Sequence, residues 1–343
     1  MHDRAESELE ELLDEPDAPE PRPRPAPGGA FGTALLLVFF VLPFLAWALL
    51  PFLGADGDRY TAALVALTQY AVPVGFVLAL LALALRRWAM ALVVGVVTAL
   101  LVVWVAPRAI PDGVPPPAGA ELRVLSSNQY LGQADPQQLV ELVRSQRADV
   151  LSLQELTPEQ VRRLDGAGLR QLLPYRDFRA GPGGSGTGLA SRYPLHPLDL
   201  VPPTTMHMPS ARLDLPGGRH VDVVAVHPQI PVGPETVGKW RREIGLLPRP
   251  TAEHDAVPRV LAGDFNATLD HSPLRALLGR DYRDAAATTG GGLEPTWPLA
   301  SPAPPFATLD HVLAARELGV SDYRALDLGG TDHRAVFAQV VLP

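Results

Sequence analysis

The sequence contains no cysteine. The fold therefore uses no disulfide and no thiolate metal site, and cysteines say nothing about the redox compartment. Lysine is also scarce: after residue 107, Lys239 stands alone among arginines. Formal net charge is −8 and the pI about 5.6, with much of the acidity in the first twenty residues. No broad basic face is implied, which disfavours tight nucleic-acid binding. No serine sits in a Gly-x-Ser-x-Gly setting, and the histidines do not fall at zinc-motif spacing. What the chain has in excess is apolar residues: hydrophobic content is 47% and mean hydropathy +0.10, high for a soluble enzyme. That excess lies before residue 107.

Residues 1–29 combine Asp and Glu with proline and are too poor in apolar area to order themselves, so they read as a disordered tail. Next come three runs without charge, Phe31 to Leu53, Tyr60 to Leu85 and Trp88 to Ala106. Each has the roughly 20 residues needed to cross a hydrocarbon core of about 30 Å. The region 30–106 is thus expected to be three transmembrane helices, with Pro43, Pro51 and Pro73 tolerated inside them. Arg22 and Arg24 precede the first run, Arg86-Arg87 separate the second from the third, and the loop 54–59 is net negative. Positive residues mark the cytoplasmic side, so the N-terminus is expected inside the cell membrane and everything after Ala106 outside. The proline-rich stretch 107–120 reads as a stiff linker.

From residue 121 to 343 the pattern is that of an α/β domain. Strands are expected at Glu121 to Ser127, Val150 to Leu153, Gly188 to Ser191, Val221 to Val226, Arg259 to Ala262, Thr308 to Ala314 and Ala335 to Val341. Helices are expected from Pro136, capped by Asp135, from Thr157 to Leu172, from Trp240 to Leu247 and from Ser272 to Leu278. The polar candidates sit where strands begin or end: Asn128, Glu155, His227, Asp264, Asn266, Asp310, Asp332 and His333. Strand ends of one sheet core can converge on a single pocket. In Gly263-Asp264-Phe265-Asn266 the acid and the amide lie two apart, on one side of an extended chain, an arrangement suited to orienting water against a phosphate. Carboxylates, carboxamides and imidazoles without thiols suit a hard divalent cation, Mg²⁺ with Mn²⁺ as the alternative, and Glu155 is the strongest single ligand candidate.

Asn128, Gln154-Glu155, Gly188-Leu189-Ala190-Ser191-Arg192, His227-Pro228, Gly263 to Asn266, Leu309-Asp310-His311 and Thr331-Asp332-His333 stand in the order seen in the endonuclease/exonuclease/phosphatase (DNase I-like) superfamily. The chain resembles that family from about residue 121 to 341 and, in its membrane segments, a membrane-anchored bacterial subgroup associated with cell-envelope functions. The resemblance implies a four-layer α/β sandwich of two mixed β-sheets flanked by helices. It implies that Glu155 binds the metal with Asn128 and Asp332 nearby, that Asp264 and Asn266 orient water or phosphate, and that His333, oriented by Asp310, contacts the phosphate or acts as base. His227 would donate to a phosphoryl oxygen. Two departures stand out: Val224-Ala225-Val226 replaces the usual Asn-Thr before His227, and the family glutamate that steadies this histidine has no clear match.

The function expected from these residues is a membrane-anchored, Mg²⁺-dependent phosphoesterase acting on a phosphorylated substrate, with membrane position favouring a lipid-linked one. The alternatives are an extracytoplasmic nuclease acting on DNA and a catalytically inactive receptor or scaffold. Among residues outside the motifs, His311 reads as structural, His196, His207, His220, His254 and His271 as surface histidines, Arg241-Arg242 as a solvated helix face, and Trp297 as a rim or packing aromatic. Asn266-Ala267-Thr268 matches a glycosylation sequon, discounted because a glycan there would block the site.

Overall fold

The computed structural model describes residues 27–250, 257–279, 281–299 and 304–343, with side chains from residue 38 onward. The tail expected over 1–29 lies outside these residues except for its last three, as does His254. The chain divides into two units, Met1–Phe40 and Val41–Pro343.

The three apolar runs become four helices: α1 (Pro27–Leu53), α2 (Arg59–Ala66), α3 (Thr68–Ala84) and α4 (Trp88–Val105). Among the described residues, one helix is long and apolar enough by itself to cross a membrane, Trp88–Ala109, which is α4 prolonged by a 3-10 turn. The segment expected as one span over 60–85 is broken at Leu67, where α2 and α3 bend by 72°. The reasons are local. The Leu67 amide closes α2 by donating to the Leu64 carbonyl at 3.1 Å, a 3-10 contact in its last turn. The Thr68 hydroxyl closes on the Val65 carbonyl at 2.7 Å. Pro73, without an N–H, leaves the Gln69 carbonyl near the bend without its helical partner. Val41, Phe44 and Ala48 of α1 pack with Ala71 and Leu78 of α3 and Val94 and Leu101 of α4.

The proline stretch does not stand off as a free spacer. The Gly292 amide donates to the Arg108 carbonyl at 3.0 Å and the Asp112 amide to the Thr288 carbonyl at 3.1 Å.

The domain beyond it begins with β1 (Ala120–Asn128), α5 (Pro136–Ser145), β2 (Val150–Gln154), α6 (Pro158–Gly166), α7 (Leu169–Leu172), β3 (Tyr175–Arg179) and β4 (Thr187–Ser191). It continues with β5 (Leu195–Leu198), β6 (Ser210–Leu215), β7 (Arg219–Val226), α8 (Pro234–Gly245), β8 (Arg259–Asp264), α9 (Ser272–Leu278), β9 (Tyr282–Asp284), α10 (Ala285–Thr289), β10 (Asp310–Ala315), β11 (Gly319–Leu326) and β12 (Ala335–Leu342). Two six-stranded sheets result, in the orders β11-β12-β1-β2-β4-β3 and β5-β6-β7-β8-β10-β9. Each is mixed: β1 and β2 run parallel, as do β7 and β8, and the other pairs are antiparallel.

The sheets pack face to face because their strands alternate. In β2, Val150 joins the core shared with the second sheet, while Leu151 and Leu153 face the helices. Leu139, Val140 and Val143 of α5 and Leu164 of α6 cover that outer side. Trp240 and Ile244 of α8 and Leu274 and Leu277 of α9 join the core on the second sheet. The expected sandwich of two mixed sheets flanked by helices is the fold observed. Asp135 caps α5 as expected, accepting from Gln137 and Gln138 amides at 2.9 and 3.1 Å. The helix expected over 157–172 is divided by Gly168 (φ 100°), and α8 starts six residues before the expected Trp240, at Pro234.

Candidate active site

The parallel pairs end side by side. Asn128 of β1 is level with Gln154 of β2, and Val226 of β7 with Gly263 of β8. On the far side of β8, Asp310 opens β10 directly opposite Asp264. Three strand ends therefore meet where His227, Asp264 and Asp310 emerge. Gly263 is what lets β8 approach β7 so closely: a Cβ there would lie 1.9 Å from the Val226 carbonyl oxygen.

The Asn128 amide links the two sheets. Its Nδ2 donates to Glu155 Oε1 at 3.2 Å and to Asp264 Oδ2 at 3.1 Å, while its Oδ1 accepts from the Tyr130 amide at 2.9 Å. Glu155 Oε2 accepts from the Leu131 amide at 2.8 Å. Asp264 Oδ1 accepts from the Asn266 amide at 2.8 Å, and Asn266 Nδ2 donates to the Pro228 carbonyl at 3.2 Å. Thr331, in the final Thr-Asp-His, donates its hydroxyl to the Asn128 carbonyl at 2.9 Å and accepts from the His333 amide at 3.2 Å.

His333 is the centre of charge. Its Nδ1 faces Asp310 Oδ2 at 2.9 Å, and its Nε2 lies 3.8 Å from Asp264 Oδ2 and 3.9 Å from Asp332 Oδ1. Burial alone would lower its pKa; Asp310 and Asp264 outweigh burial and push it up to about 10. The Asp264 carboxyl is raised from its ordinary value, by burial first and by Asp310, against the opposing pull of His333. His227 is held below the usual histidine range by burial, and its Nδ1 has no hydrogen-bond partner. Asp310 Oδ1 is likewise buried without a partner.

Backbone strain gathers here. Six non-glycine residues among those described have positive φ, and four of them, Tyr130 (44°), Leu131 (55°), Glu155 (53°) and Asn266 (48°), lie in this network. Each costs on the order of 1–3 kcal/mol and persists only where the surroundings over-determine it. The network supplies that: both Tyr130 and Leu131 amides are tied to site side chains.

The eight expected site residues are not all equally close. Asn128 touches Glu155 and Asp264; Asp310 touches His333; Asp332 sits at the rim, about a quarter exposed, with Oδ2 accepting from Trp297 Nε1 at 3.1 Å. The one group of three acids or imidazoles among the described residues whose ligand atoms lie within 4.8 Å of one another is Asp264, Asp310 and His333, which differs from the expected metal set of Asn128, Glu155 and Asp332. In that group His333 Nδ1 is already committed to Asp310, so it reads as an acid–imidazole relay rather than a ligand cage. Glu155, Asn128 and Asp332 offer only oxygen to a cation, and each Glu155 oxygen accepts a single hydrogen bond, leaving lone pairs for a hard ion such as Mg²⁺.

Sequence reasoning placed Trp297 without deciding its role; the structure puts its ring 6.4 Å from that of His333. It left Thr331 without a role, although the motif held it. His271, expected at the surface, is 2% exposed, and Arg241, expected on a solvated face, pairs with buried Asp56.

No curated protein matches this sequence. Solved structures do. An endonuclease/exonuclease/phosphatase from Beutenbergia cavernae DSM 12333 aligns over 65% of this chain and 72% of its own, with TM-score 0.52 and 19% identity. D. rerio TDP2 complexed with single-strand DNA product aligns over 64% of this chain and 99% of its own (TM-score 0.48, 16% identity). Sphingomyelinase C from Streptomyces griseocarneus aligns over 64% and 99% (TM-score 0.44, 17% identity). The profile of the Endonuclease/Exonuclease/phosphatase family matches residues 125–333, more than half of the sequence, and the chain belongs to that family.

Proposed function

We propose that this protein is a membrane-anchored, Mg²⁺-dependent phosphoesterase whose catalytic domain faces the extracytoplasmic side and hydrolyses a phosphate ester or anhydride, lipid-linked, by direct attack of water. The observation that carries the chemistry is the continuous network from Glu155 through Asn128 and Asp264 to His333 and Asp310 at converging strand ends. The membrane part rests on the uncharged runs of the sequence, on the apolar helix Trp88–Ala109 and on the arginines at positions 22, 24, 86 and 87.

Glu155, with Asn128 and Asp332, would hold the cation, which when bound supplies Lewis-acid polarisation of a phosphoryl oxygen and neutralises leaving-group charge. The rest belongs to the chain's own groups. Asp264, raised by burial, is the better proton acceptor of the two candidates for the attacking water. His333, with a proton on each nitrogen at neutral pH, donates one to Asp310 and turns the other towards the phosphoryl oxygen. Asn266 and His227 flank Asp264 and orient the water and the phosphate. Asn128 ties the cation side to the water side, so the two cannot drift apart.

The test is a hydrolysis panel on the full chain in lipid nanodiscs with Mg²⁺: a polyprenyl pyrophosphate, sphingomyelin, an inositol phosphate and plasmid DNA, with Glu155→Ala as control. Turnover of a lipid phosphate lost in Glu155→Ala is the expected result. No turnover on any substrate overturns the enzyme reading, and cleavage of DNA alone overturns the lipid preference. A C-terminal reporter active only in the cytoplasm overturns the orientation.

A further inference from the structure

We propose that the end of the helical bundle is a working part of the active site: it clamps the loop Ala267–His271, and Asp270 is the positioning residue through which it holds Asp264 and Asn266. The catalytic consequence rests on the function proposed above; the clamp itself does not.

β8 ends at Asp264, and Asp270 comes four residues after Asn266, so those two lie within about 14 Å along the chain. Asp270, 3% exposed, accepts Trp104 Nε1 at 2.8 Å and takes Arg108 as a two-pronged ion pair at 2.8 and 2.6 Å. Trp104 is in the last turn of α4 and Arg108 in the 3-10 turn after it. His271 Nδ1 accepts the Thr268 amide at 2.9 Å, so the proton sits on Nε2 and is donated to the Ala62 carbonyl of α2 at 3.0 Å. Asp56, in the connection between α1 and α2, is 1% exposed and accepts the Ser272 amide and hydroxyl at 2.5 and 2.7 Å, with Arg241 as its third partner.

The opposite side of the loop is tied to the sheet. His311 bridges the Ala267 carbonyl and Asp284, both at 2.9 Å, and Trp240 Nε1 donates to the Phe265 carbonyl at 3.2 Å. Between these anchors stands Asn266 in its left-handed conformation. A strained residue keeps its geometry only while its surroundings dictate it. Removing Arg108 leaves Asp270 as a buried carboxylate without its counter-ion, and the loop that it anchors runs directly back to Asn266, whose support on that side is then lost while the ties to Trp240 and His311 remain. The bundle thus does more than tether the domain.

Hydrogen exchange on the full chain in nanodiscs reads the clamp without any substrate. Arg108→Ala is expected to speed exchange of peptides within 264–275 about tenfold, with β6 and β7 unchanged. On bis-p-nitrophenyl phosphate with Mg²⁺, kcat is expected to fall about tenfold or more at nearly constant KM, with partial recovery in Arg108→Lys. Trp104→Phe, which deletes one hydrogen bond and keeps an aromatic ring, should show the same local pattern at smaller size and decides the matter if Arg108→Ala does not fold. Unchanged exchange in the loop, or an equal rise throughout the domain, overturns the clamp. Local exchange with wild-type kcat overturns the positioning role. If the wild type itself hydrolyses nothing, the functional reading fails while the exchange result still judges the clamp.

Discussion

Two pairs of buried aspartates in this molecule are treated in opposite ways. Asp56 and Asp270, where the helical bundle meets the domain, have their carboxylates fully engaged by arginine, indole, hydroxyl and amide donors. Asp264 and Asp310, in the site, are as deeply buried but share a single imidazole as their only cationic partner; Asp264 has neutral amide donors besides, and one Asp310 oxygen has no partner at all. A satisfied acid holds structure together. An under-satisfied acid stores electrostatic free energy that a substrate, a water or a cation can release, which is why such groups mark functional sites.

Activity should separate the pairs most sharply. Glu155→Ala and Asp264→Ala are expected to lower kcat by about a thousandfold or more on whichever substrate the panel identifies; a loss of less than tenfold in both would remove them from the chemistry. Asp310→Asn should cost roughly a hundredfold or more, because His333 loses the partner that orients it and stabilises its charge. An NMR titration would show the His333 pKa falling from near 10 in the same variant. Stability should move the other way. Asp56→Ala leaves Arg241 and the Ser272 amide without their acceptor and is expected to cost about 3–5 kcal/mol in chemical denaturation. Asp264→Asn is expected to cost less, about 1–2 kcal/mol, since it removes a charge that burial disfavours but sets an amide NH2 against one of two N–H donors. Equal destabilisation by both would erase the contrast.

The pH dependence reflects the same asymmetry. His333 binds its second proton up to about pH 10 in the folded state, against 6.5 for an ordinary histidine. Its contribution to stability is full below pH 6.5 and is lost as pH rises towards 10. Metal-free wild type should therefore lose on the order of a few kcal/mol relative to His333→Gln across that window, read by denaturation at pH 6 and pH 10. The smallest expected effect is at the rim: Trp297→Phe removes one hydrogen bond to Asp332 and should weaken Mg²⁺-dependent activity by a factor of a few.

The residues of the site were legible because they stand beside the ends of strands whose apolar runs announce them; β2, β8 and β10 are buried at every position, and β1 and β7 are buried over the half that reaches the site. The strands that left no clear trace were β3, β5, β6, β9 and β11, and four of these five are sheet edges. Edge strands carry charges and prolines that blunt further pairing, and those residues erase the apolar signature; Tyr175-Arg176-Asp177-Phe178-Arg179 and Leu195-His196-Pro197-Leu198 are examples. The hydrogen bond from His333 to Asp310 could be expected only through the family resemblance, since strand order, not spacing, brings residues 23 apart together. The break at Leu67 was hidden because an uncharged run has the same composition whether it is straight or bent. The partners of His271 and Asp270 were invisible because they are supplied by segments some 160 to 210 residues earlier.

The engagement of Asp56, Trp104 and Arg108 with the domain also bears on recombinant expression. A fragment started in the proline stretch after Arg108, the obvious place to cut for a soluble sample, would present Asp270 without its counter-ion, Arg241 without its acceptor and the buried His271 without the Ala62 carbonyl. Low yield and aggregation are the expected fate of such a fragment, and a purification that keeps the helices in detergent is the route to an active preparation.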